Sequence, residues 1–197
     1  MPIAINGSGT VTGISVGGLP DGIVDTDTIA ADAVTAAKIG SKTFTSYAVI
    51  CDAKSGSSDG GGITTGAWRT RDLNTEISDV DNIVSISSNQ FTLQAGTYLI
   101  EASAPACQCG SHQIRIYNAT DTAVVQNGSA EYARAGAHSQ TESFASARVT
   151  ITGAKAFEIQ HRSSNTRADY GMGVGVSGGL NWGEGTVYCQ VRIYKEA

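Results

Sequence analysis

The sequence predicts an all-β fold, a jelly-roll sandwich of about ten antiparallel strands. The first observation is composition: 24 of the 197 residues are glycine and only 16% are charged. β-Branched side chains suit a pleated, half-buried surface, and glycine favours turns. The second observation is an alternation of apolar and polar residues from Thr43 onward, interrupted by turn residues. No convincing helical pattern separates these runs, so the strands are expected to pair antiparallel in two packed sheets.

The individual strands are predicted from short alternating segments. Near the C-terminus, Val187, Cys189, Val191 and Ile193 are expected on one face, opposite Tyr188, Gln190, Arg192 and Tyr194. In an earlier strand, Ala145, Ala147, Val149 and Ile151 share a face. The predicted strands cover residues 44–51, 83–93 (two runs broken at 88–89), 96–104, 113–117, 123–126, 144–151, 156–162, 170–176 and 186–194.

The first forty residues differ from the rest. Residues 1–22 are rich in glycine with thinly spaced Ile and Val, which predicts an extended segment that anchors the chain on another surface. Residues 23–42 place apolar residues at a period of five, which matches neither a helix nor a strand. Three copies around an axis could bury that stripe, and a short amphipathic helix over residues 27–38 is the alternative. The stripe consists of Val24, Ile29, Val34 and Ile39.

The sequence therefore predicts three parts: an anchor at 1–22, a short trimeric stalk or linker at 23–42, and a head at 43–197. A homotrimer is expected because closed cyclic symmetry buries the same face on every copy.

Charge and hydropathy exclude several classes of partner. The net charge is −5, and the 13 Lys and Arg residues are dispersed, so no basic run could neutralise successive phosphates. No apolar stretch approaches the roughly 20 residues that cross a bilayer, and the start of the chain lacks the pattern of a signal peptide. We expect no nucleic-acid partner, no membrane insertion and assembly in a cytoplasm.

The sequence contains no motif that predicts a cofactor or a catalytic site. Cys107, Cys109 and His112 are close in sequence, but zinc needs a fourth ligand, and a turn with reduced thiols is the simpler interpretation. Cys51 and Cys189 lie within predicted strands and are expected to be small buried hydrophobes. No metal, no cofactor and no enzymatic activity are expected. Among the histidines, His161 shares the alternating face of Phe157 and Ile159, which predicts a core or subunit-interface residue, whereas His112 and His138 are expected in solvent near turns.

Two loops have the composition of a binding surface. Residues 55–71 and 169–185 combine adaptable Gly, Ser and Asn with rigid aromatic residues, and Trp or Tyr rings stack well on sugar rings. Packing of the tryptophans at a trimer interface is the alternative. The candidate ligand-binding residues are Trp68, Tyr170, Asn181 and Trp182.

Two segments resemble known families. The run QFTLQAGTYLI, residues 90–100, resembles the strand-turn-strand pattern of the tumour-necrosis-factor-like and complement-type globular heads, in which an aromatic residue precedes Gly-x-Tyr. The run IAADAVTAAKI, residues 29–39, resembles shaft segments of bacteriophage tail fibres. The resemblance implies a trimeric jelly-roll head on a virion assembled in the host cytoplasm. There is no collagen-like Gly-X-Y stalk, which disfavours an animal secreted member.

The function that this resemblance implies is that of a non-enzymatic phage virion protein. A short tail fibre or receptor-binding adhesin is the first hypothesis, with residues 1–22 on another virion protein and the head on a host surface glycan or protein. The alternatives are a capsid decoration or head-fibre protein that stabilises the shell, and a cellular lectin-like jelly-roll module.

Overall fold

The computed structural model describes residues 4–5, 11–12, 43–136, 139–175 and 185–196. The chain divides into two units, Met1–Lys42 and Thr43–Ala197. In the first unit, strands β1 (Ala4–Ile5) and β2 (Val11–Thr12) pair antiparallel. The four residues of the predicted stalk stripe, and the alternative helix at 27–38, lie outside the described residues.

The second unit is built from strands in two antiparallel sheets. The strands are β3 (Phe44–Lys54), β4 (Arg69–Thr70), β5 (Thr75–Ser78), β6 (Val84–Ser87), β7 (Gln90–Leu93), β8 (Gly96–Cys107), β9 (Gly110–Asn118), β10 (Ala123–Ala133), β11 (Gln140–Ile151), β12 (Lys155–Ser163) and β13 (Thr186–Glu196). One sheet has the order β11-β8-β13-β3-β5, and the other has the order β10-β9-β12-β7-β6 with β4 paired to β12. Beyond β7 the chain passes repeatedly from one sheet to the other, as in a jelly roll.

The predicted all-β jelly-roll class is confirmed for this unit, and no helix occurs in the described ranges. Among those same residues, therefore, no helix has the length and hydropathy needed to span a membrane.

Most predicted strands are present, and several are longer than predicted. The predicted break at residues 88–89 is a tight hairpin turn between β6 and β7, where Ser88 and Asn89 have φ angles of 52° and 64°. Two successive positive φ angles are the signature of the type I′ turn that matches strand twist. The short strands β4 and β5 were not predicted.

The predicted strand at residues 170–176 is wrong. Residues 170–172 form a turn, and residues 173–175 have no regular structure. Gly173 has a φ of +123°, which interrupts an extended path. The backbone hydrogen bonds of this segment go to another loop instead, since the amide of Met172 donates to the carbonyl of Gly61 at 2.8 Å.

The main core lies between the two sheets. Phe91 of β7 and Phe157 of β12 are register partners whose rings stack with centroids 5.6 Å apart. The predicted apolar face of β11 is confirmed. Ala145 is buried, and the other three residues of that face, Ala147, Val149 and Ile151, are partly buried and pack against the core. The fully buried members include Ala48, Ile50, Phe91, Leu93, Tyr98, Ile100, Ala104, Ile114, Ile116, Ile159, Cys189, Val191 and Ile193.

Strand β13 departs from the predicted alternation at one end. Cys189, Val191 and Ile193 point into the core, but Val187 is exposed and Tyr188 is buried. A β-bulge between Val187 and Gln190 shifts the register against β3 and reverses the faces before it. The prediction that Val187 shares the core face is therefore wrong.

All four cysteines are buried and free, which confirms Cys51 and Cys189 as small buried residues. Cys107 ends β8, and the turn residue Gln108 has a φ of 53° before β9 begins. A second, smaller apolar cluster lies near this turn and consists of Ile63, Ala106, Cys109, Ala133 and Met172.

Candidate functional site

The outer face of the six-stranded sheet is polar and aromatic. Strands β9 and β12 are direct neighbours, and their inward residues, such as Ile114 and Ile159, are fully buried. Alternation therefore sends polar partners outward in register. These cross-strand pairs are Gln113 with Arg162, Arg115 with Gln160, and Tyr117 with Glu158.

Trp68 lies on this face, just before β4. The guanidinium carbon of Arg115 is 4.2 Å from the centre of the Trp68 ring and 4.9 Å from that of Tyr117. Both distances are within the range of cation–π attraction. The Nε of Arg115 also donates to Oε1 of Gln160 at 2.7 Å. Arg115 is thus held by two rings and one hydrogen bond, and it orients the half-buried indole in turn.

Hydrogen bonds extend this arrangement across the sheet. The amide of Gln160 donates to Oε1 of Glu158, and Nε2 of Gln90 donates to Oε2 of the same carboxylate at 3.1 Å. Glu158 is only 8% exposed, so the two amides replace water as its donors. The network fixes the rotamers of side chains that would otherwise be mobile at a surface.

A groove of about 470 Å³ opens beside Trp68. We call it the Trp68 groove. Its lining has one indole ring, one imidazole ring, one guanidinium group and several hydroxyl and amide groups, and no carboxylate. Its lining residues are Thr65, Gly66, Trp68, Ser111, His112, Gln113, Ala130, Arg162, Ser163 and Ser164.

The two loops predicted to form a binding surface are joined by backbone hydrogen bonds. The amide of Gly60 donates to the carbonyl oxygen of Gly173 at 2.9 Å, and the amide of Met172 donates to that of Gly61 at 2.8 Å. Just before the second loop, Arg167 pairs with Ile63, and their amides donate to each other's carbonyl oxygens at 2.8 and 2.9 Å. Tyr170 stacks 5.4 Å from the Arg167 guanidinium and does not line the Trp68 groove. Asn181 and Trp182 lie outside the described residues.

Behind the groove, a buried chain of hydrogen bonds runs from β4's end to β11. Arg71 is fully buried and donates to the carbonyl oxygens of Pro105 at 3.2 Å and Met172 at 2.9 Å. Its Nη1 also lies 3.5 Å from Nδ1 of His161. Nε2 of His161 is 3.0 Å from Nδ1 of His112, whose Nε2 is 2.8 Å from Oγ1 of Thr141. We call this the arginine–histidine chain.

Burial keeps both histidines of the chain neutral. Burial lowers the pKa of His112 to about 4, against a smaller opposing effect of Glu131. Burial, the charge of Arg71 and the repulsion that a protonated His112 would exert all lower the pKa of His161 well below its ordinary value. The prediction of a core histidine at position 161 is confirmed. The prediction of a solvated His112 is wrong, because His112 lies inside β9 on the inward face and is 3% exposed. His138 is outside the described residues.

A buried acidic group in β3, Asp52, interacts with the charge of Arg71. Asp52 is 1% exposed, contacts Nζ of Lys54 at 3.0 Å and accepts from Asn74 at 3.1 Å. Burial raises the pKa of Asp52 while Lys54 and Arg71 oppose that rise. The ion pair of Asp52 is with Lys54, and among the described residues Asp52 and Arg71 form no direct ion pair.

The sulfur-rich turn lacks the geometry of a metal centre. In the described ranges no three His, Cys, Asp or Glu side chains are grouped so that they could hold a metal ion. Burial raises the pKa of the Cys109 thiol to about 11, whereas metal binding requires the thiolate.

The outer face of the five-stranded sheet differs from the polar face. Phe144 is 56% exposed and Tyr47 is 52% exposed, and the ring of Phe44 lies 5.2 Å from that of Tyr194. A second groove of about 470 Å³ runs beside Phe144. We call this surface the aromatic face, defined by Phe44, Tyr47, Leu99, Phe144, Val187 and Tyr194.

Comparison with known proteins finds likeness only at the level of structure. The sequence matches no protein-family model and no curated protein. The structure is similar to the globular domain of zebrafish complement 1qA protein (14% identity, 76% of this chain, 95% of that chain, TM-score 0.45). It is also similar to PRD1 vertex protein P5 (11%, 79%, 100%, 0.48) and to the Eiger TNF from S. frugiperda (10%, 79%, 94%, 0.49). All three TM-scores are below 0.5, so the jelly-roll assignment rests on this chain's own sheet topology.

Sequence reasoning identified Trp68 but missed its neighbours. Arg115, Gln160 and Arg162 were inside predicted strands, and alternation alone places them on the outward face. What the sequence could not provide is the pairing of β9 with β12, which brings these side chains beside a tryptophan more than forty residues away.

Proposed function

We propose that this chain is a non-enzymatic structural protein of a phage virion, a short tail fibre or receptor-binding adhesin with a homotrimeric head. One observation carries the proposal: the five-stranded sheet exposes the large side chains of Phe144 and Tyr47 on its outer face, and the six-stranded sheet carries the Trp68 groove on the other. The aromatic face suits contact with other protein, and the polar face carries the Trp68 groove. A head that assembles through one face and presents the other matches the requirements of an adhesin.

Copies of this chain are the proposed occupants of the aromatic face. Large exposed apolar side chains on a single sheet mark an interaction surface. Small residues such as Ser103 and Ser146 separate the rings on this face, which leaves room for interdigitation. A cyclic assembly buries this face on every copy without leaving an open end. The five-residue stripe of residues 23–42 independently favours three copies around one axis.

The location on a virion is supported by the order of the segments. A glycine-rich N-terminal part precedes a stretch that resembles tail-fibre shafts, and the head follows. In this proposal residues 1–22 bind another virion protein, and assembly takes place in the host cytoplasm. A capsid decoration protein would share these segments, but its head would need no ligand groove.

Competition for adsorption tests the adhesin function. Host cells would be incubated with the purified full chain before purified particles are added. If the chain is an adhesin, it lowers particle adsorption in proportion to the fraction of host receptors that it occupies. Heat-unfolded chain has no effect. If native chain at saturating concentration leaves adsorption unchanged, the adhesin proposal fails and decoration becomes the better explanation.

A further inference from the structure

We propose that the Trp68 groove binds a carboxylated sugar unit of a surface glycan. This inference rests on the proposed adhesin function and names the chemistry of its ligand. The indole supplies an apolar plate for one face of the sugar ring, and Arg162 supplies the partner of the carboxylate.

The first argument is the electrostatic balance of the groove. Arg162 is exposed and lines it, and no Asp or Glu side chain lies within salt-bridge distance of Arg162 in the described part of the chain. A guanidinium group forms two parallel hydrogen bonds with a carboxylate, which favours acidic over neutral sugars.

The second argument is the supply of free polar groups. The Nε2 of Gln113 donates to the carbonyl of Gly128 at 2.7 Å, which leaves its amide oxygen to accept from a ligand hydroxyl. Ser111 is exposed at the same rim. A sugar presents alternating hydroxyl groups, so a ring of hydroxyl and amide groups around an aromatic plate is complementary to it.

The third argument is preorganisation. The Trp68 ring is held by Arg115, and Arg115 by Tyr117 and Gln160. Two further lining residues are also joined, since Oγ of Ser164 accepts from the amide of Ser111 at 2.9 Å. A groove whose walls are already ordered loses little conformational entropy when a ligand binds.

The aromatic face is a poorer candidate for this ligand. Its groove beside Phe144 contains Glu142 together with Arg192, so the charge there is already balanced. The proposed trimer also covers that face, whereas the six-stranded sheet lies on the other side of the sandwich.

Binding to matched sugars tests the proposal. Trigalacturonate and its methyl ester form one pair of probes, and 3′-sialyllactose and lactose form a second. Isothermal titration calorimetry on the purified full chain gives the dissociation constants. We expect at least one acidic probe to bind about tenfold more tightly than its uncharged counterpart.

Three variants locate the site. Arg162→Gln lowers the affinity for the acidic probe to that for its uncharged counterpart. Trp68→Ala lowers the affinity for both members of the pair. Arg134→Gln, which removes another exposed arginine that does not line the groove, leaves binding unchanged. Circular dichroism and sedimentation confirm that each variant is folded and assembled.

Three results would overturn the proposal: neither acidic probe binds at millimolar concentration, acid and uncharged forms bind equally, or Arg162→Gln binds like the wild type. These failures differ from failure of the adhesin function. A chain that blocks particle adsorption but binds no acidic sugar keeps the adhesin proposal and removes this ligand. A chain that binds the sugar but blocks no adsorption keeps the site and removes the adhesin.

Discussion

Nε2 of His161 lies 3.0 Å from Nδ1 of His112, with Arg71 on the far side of His161. Because a guanidinium group can only donate, Nδ1 of His161 must accept from Arg71. The proton of His161 is therefore on Nε2 and is donated to Nδ1 of His112. His112 in turn donates from Nε2 to Thr141. The chain as a whole therefore needs both imidazole rings to be neutral.

This geometry predicts that the head loses stability in acid. The folded-state pKa of His112 is lowered to about 4, and an unfolded histidine has a pKa of about 6.5. The unfolded chain thus binds more protons between these values, and the free energy of unfolding falls as pH drops through this window. From pH 7 to pH 5, His112 contributes a loss of about 2 kcal/mol. Urea unfolding at fixed protein concentration measures it.

His112→Gln is the matched variant for this experiment, because an amide keeps hydrogen-bonding capacity without titrating. Its free energy of unfolding should vary less between pH 7 and pH 5 than that of the wild type. Equal pH dependence in the two proteins would show that His112 does not carry the effect.

Arg71 is predicted to be a structural residue of the head. Replacing it with Met fills similar space but leaves the carbonyl oxygens of Pro105 and Met172 without their buried donor. The expected loss in unfolding free energy is about 2–4 kcal/mol. Arg69→Met, two residues earlier and exposed, should change stability by less than about 0.5 kcal/mol. Similar losses in both variants would contradict the role assigned to Arg71.

The fold class could be predicted from sequence, because alternation and turn residues act locally. The faces of β11 followed from that rule, and Val187 did not, since a β-bulge depends on how two strands pair. Short strands such as β4 carry too few residues for any period to be visible. His112 illustrates the same limit: the sequence predicts a solvated residue near a turn, but pairing of β9 with β12 extends the strand and turns the imidazole inward.

Two glycines with nearly equal φ angles allow the cost of backbone strain to be distinguished from the cost of a side-chain collision. Gly110 and Gly136 have φ angles of 74° and 76°, so alanine at either position costs about 1 kcal/mol in backbone strain. A Cβ at Gly110 would also collide with Oγ of Ser164, whereas none of the described atoms lies within 4 Å of one at Gly136. Gly110→Ala should therefore be the more destabilising change in urea unfolding, and it should also weaken sugar binding at the groove. Equal losses in the free energy of unfolding would show that backbone strain alone accounts for the effect.

If copies of this chain contact one another through the aromatic face, one charged substitution there should disrupt the assembly. Phe144→Glu places a carboxylate on that face, and sedimentation velocity should show monomers at concentrations where the wild type is expected to sediment as a trimer. Arg162→Glu adds a carboxylate to the opposite outer face and should leave the trimer intact. A wild-type sedimentation coefficient for Phe144→Glu would exclude this face as the contact between copies.

A double substitution tests whether residues 23–42 contribute to trimer formation. Asp at both Val34 and Ile39 introduces charge into the five-residue stripe, which three copies would otherwise bury against one another. The expected result is a lower trimer fraction in sedimentation equilibrium. An unchanged trimer would leave the head as the source of assembly and would remove the stalk from it.

The central claim, a trimeric adhesin on a virion, is tested most directly by a cryo-electron microscopy map of the purified particle. We expect density for three copies of the jelly-roll head around one axis at the tail tip or baseplate, with the six-stranded sheets facing outward. Density for the head only at threefold positions of the capsid shell, with the Trp68 groove turned toward neighbouring subunits, would contradict it.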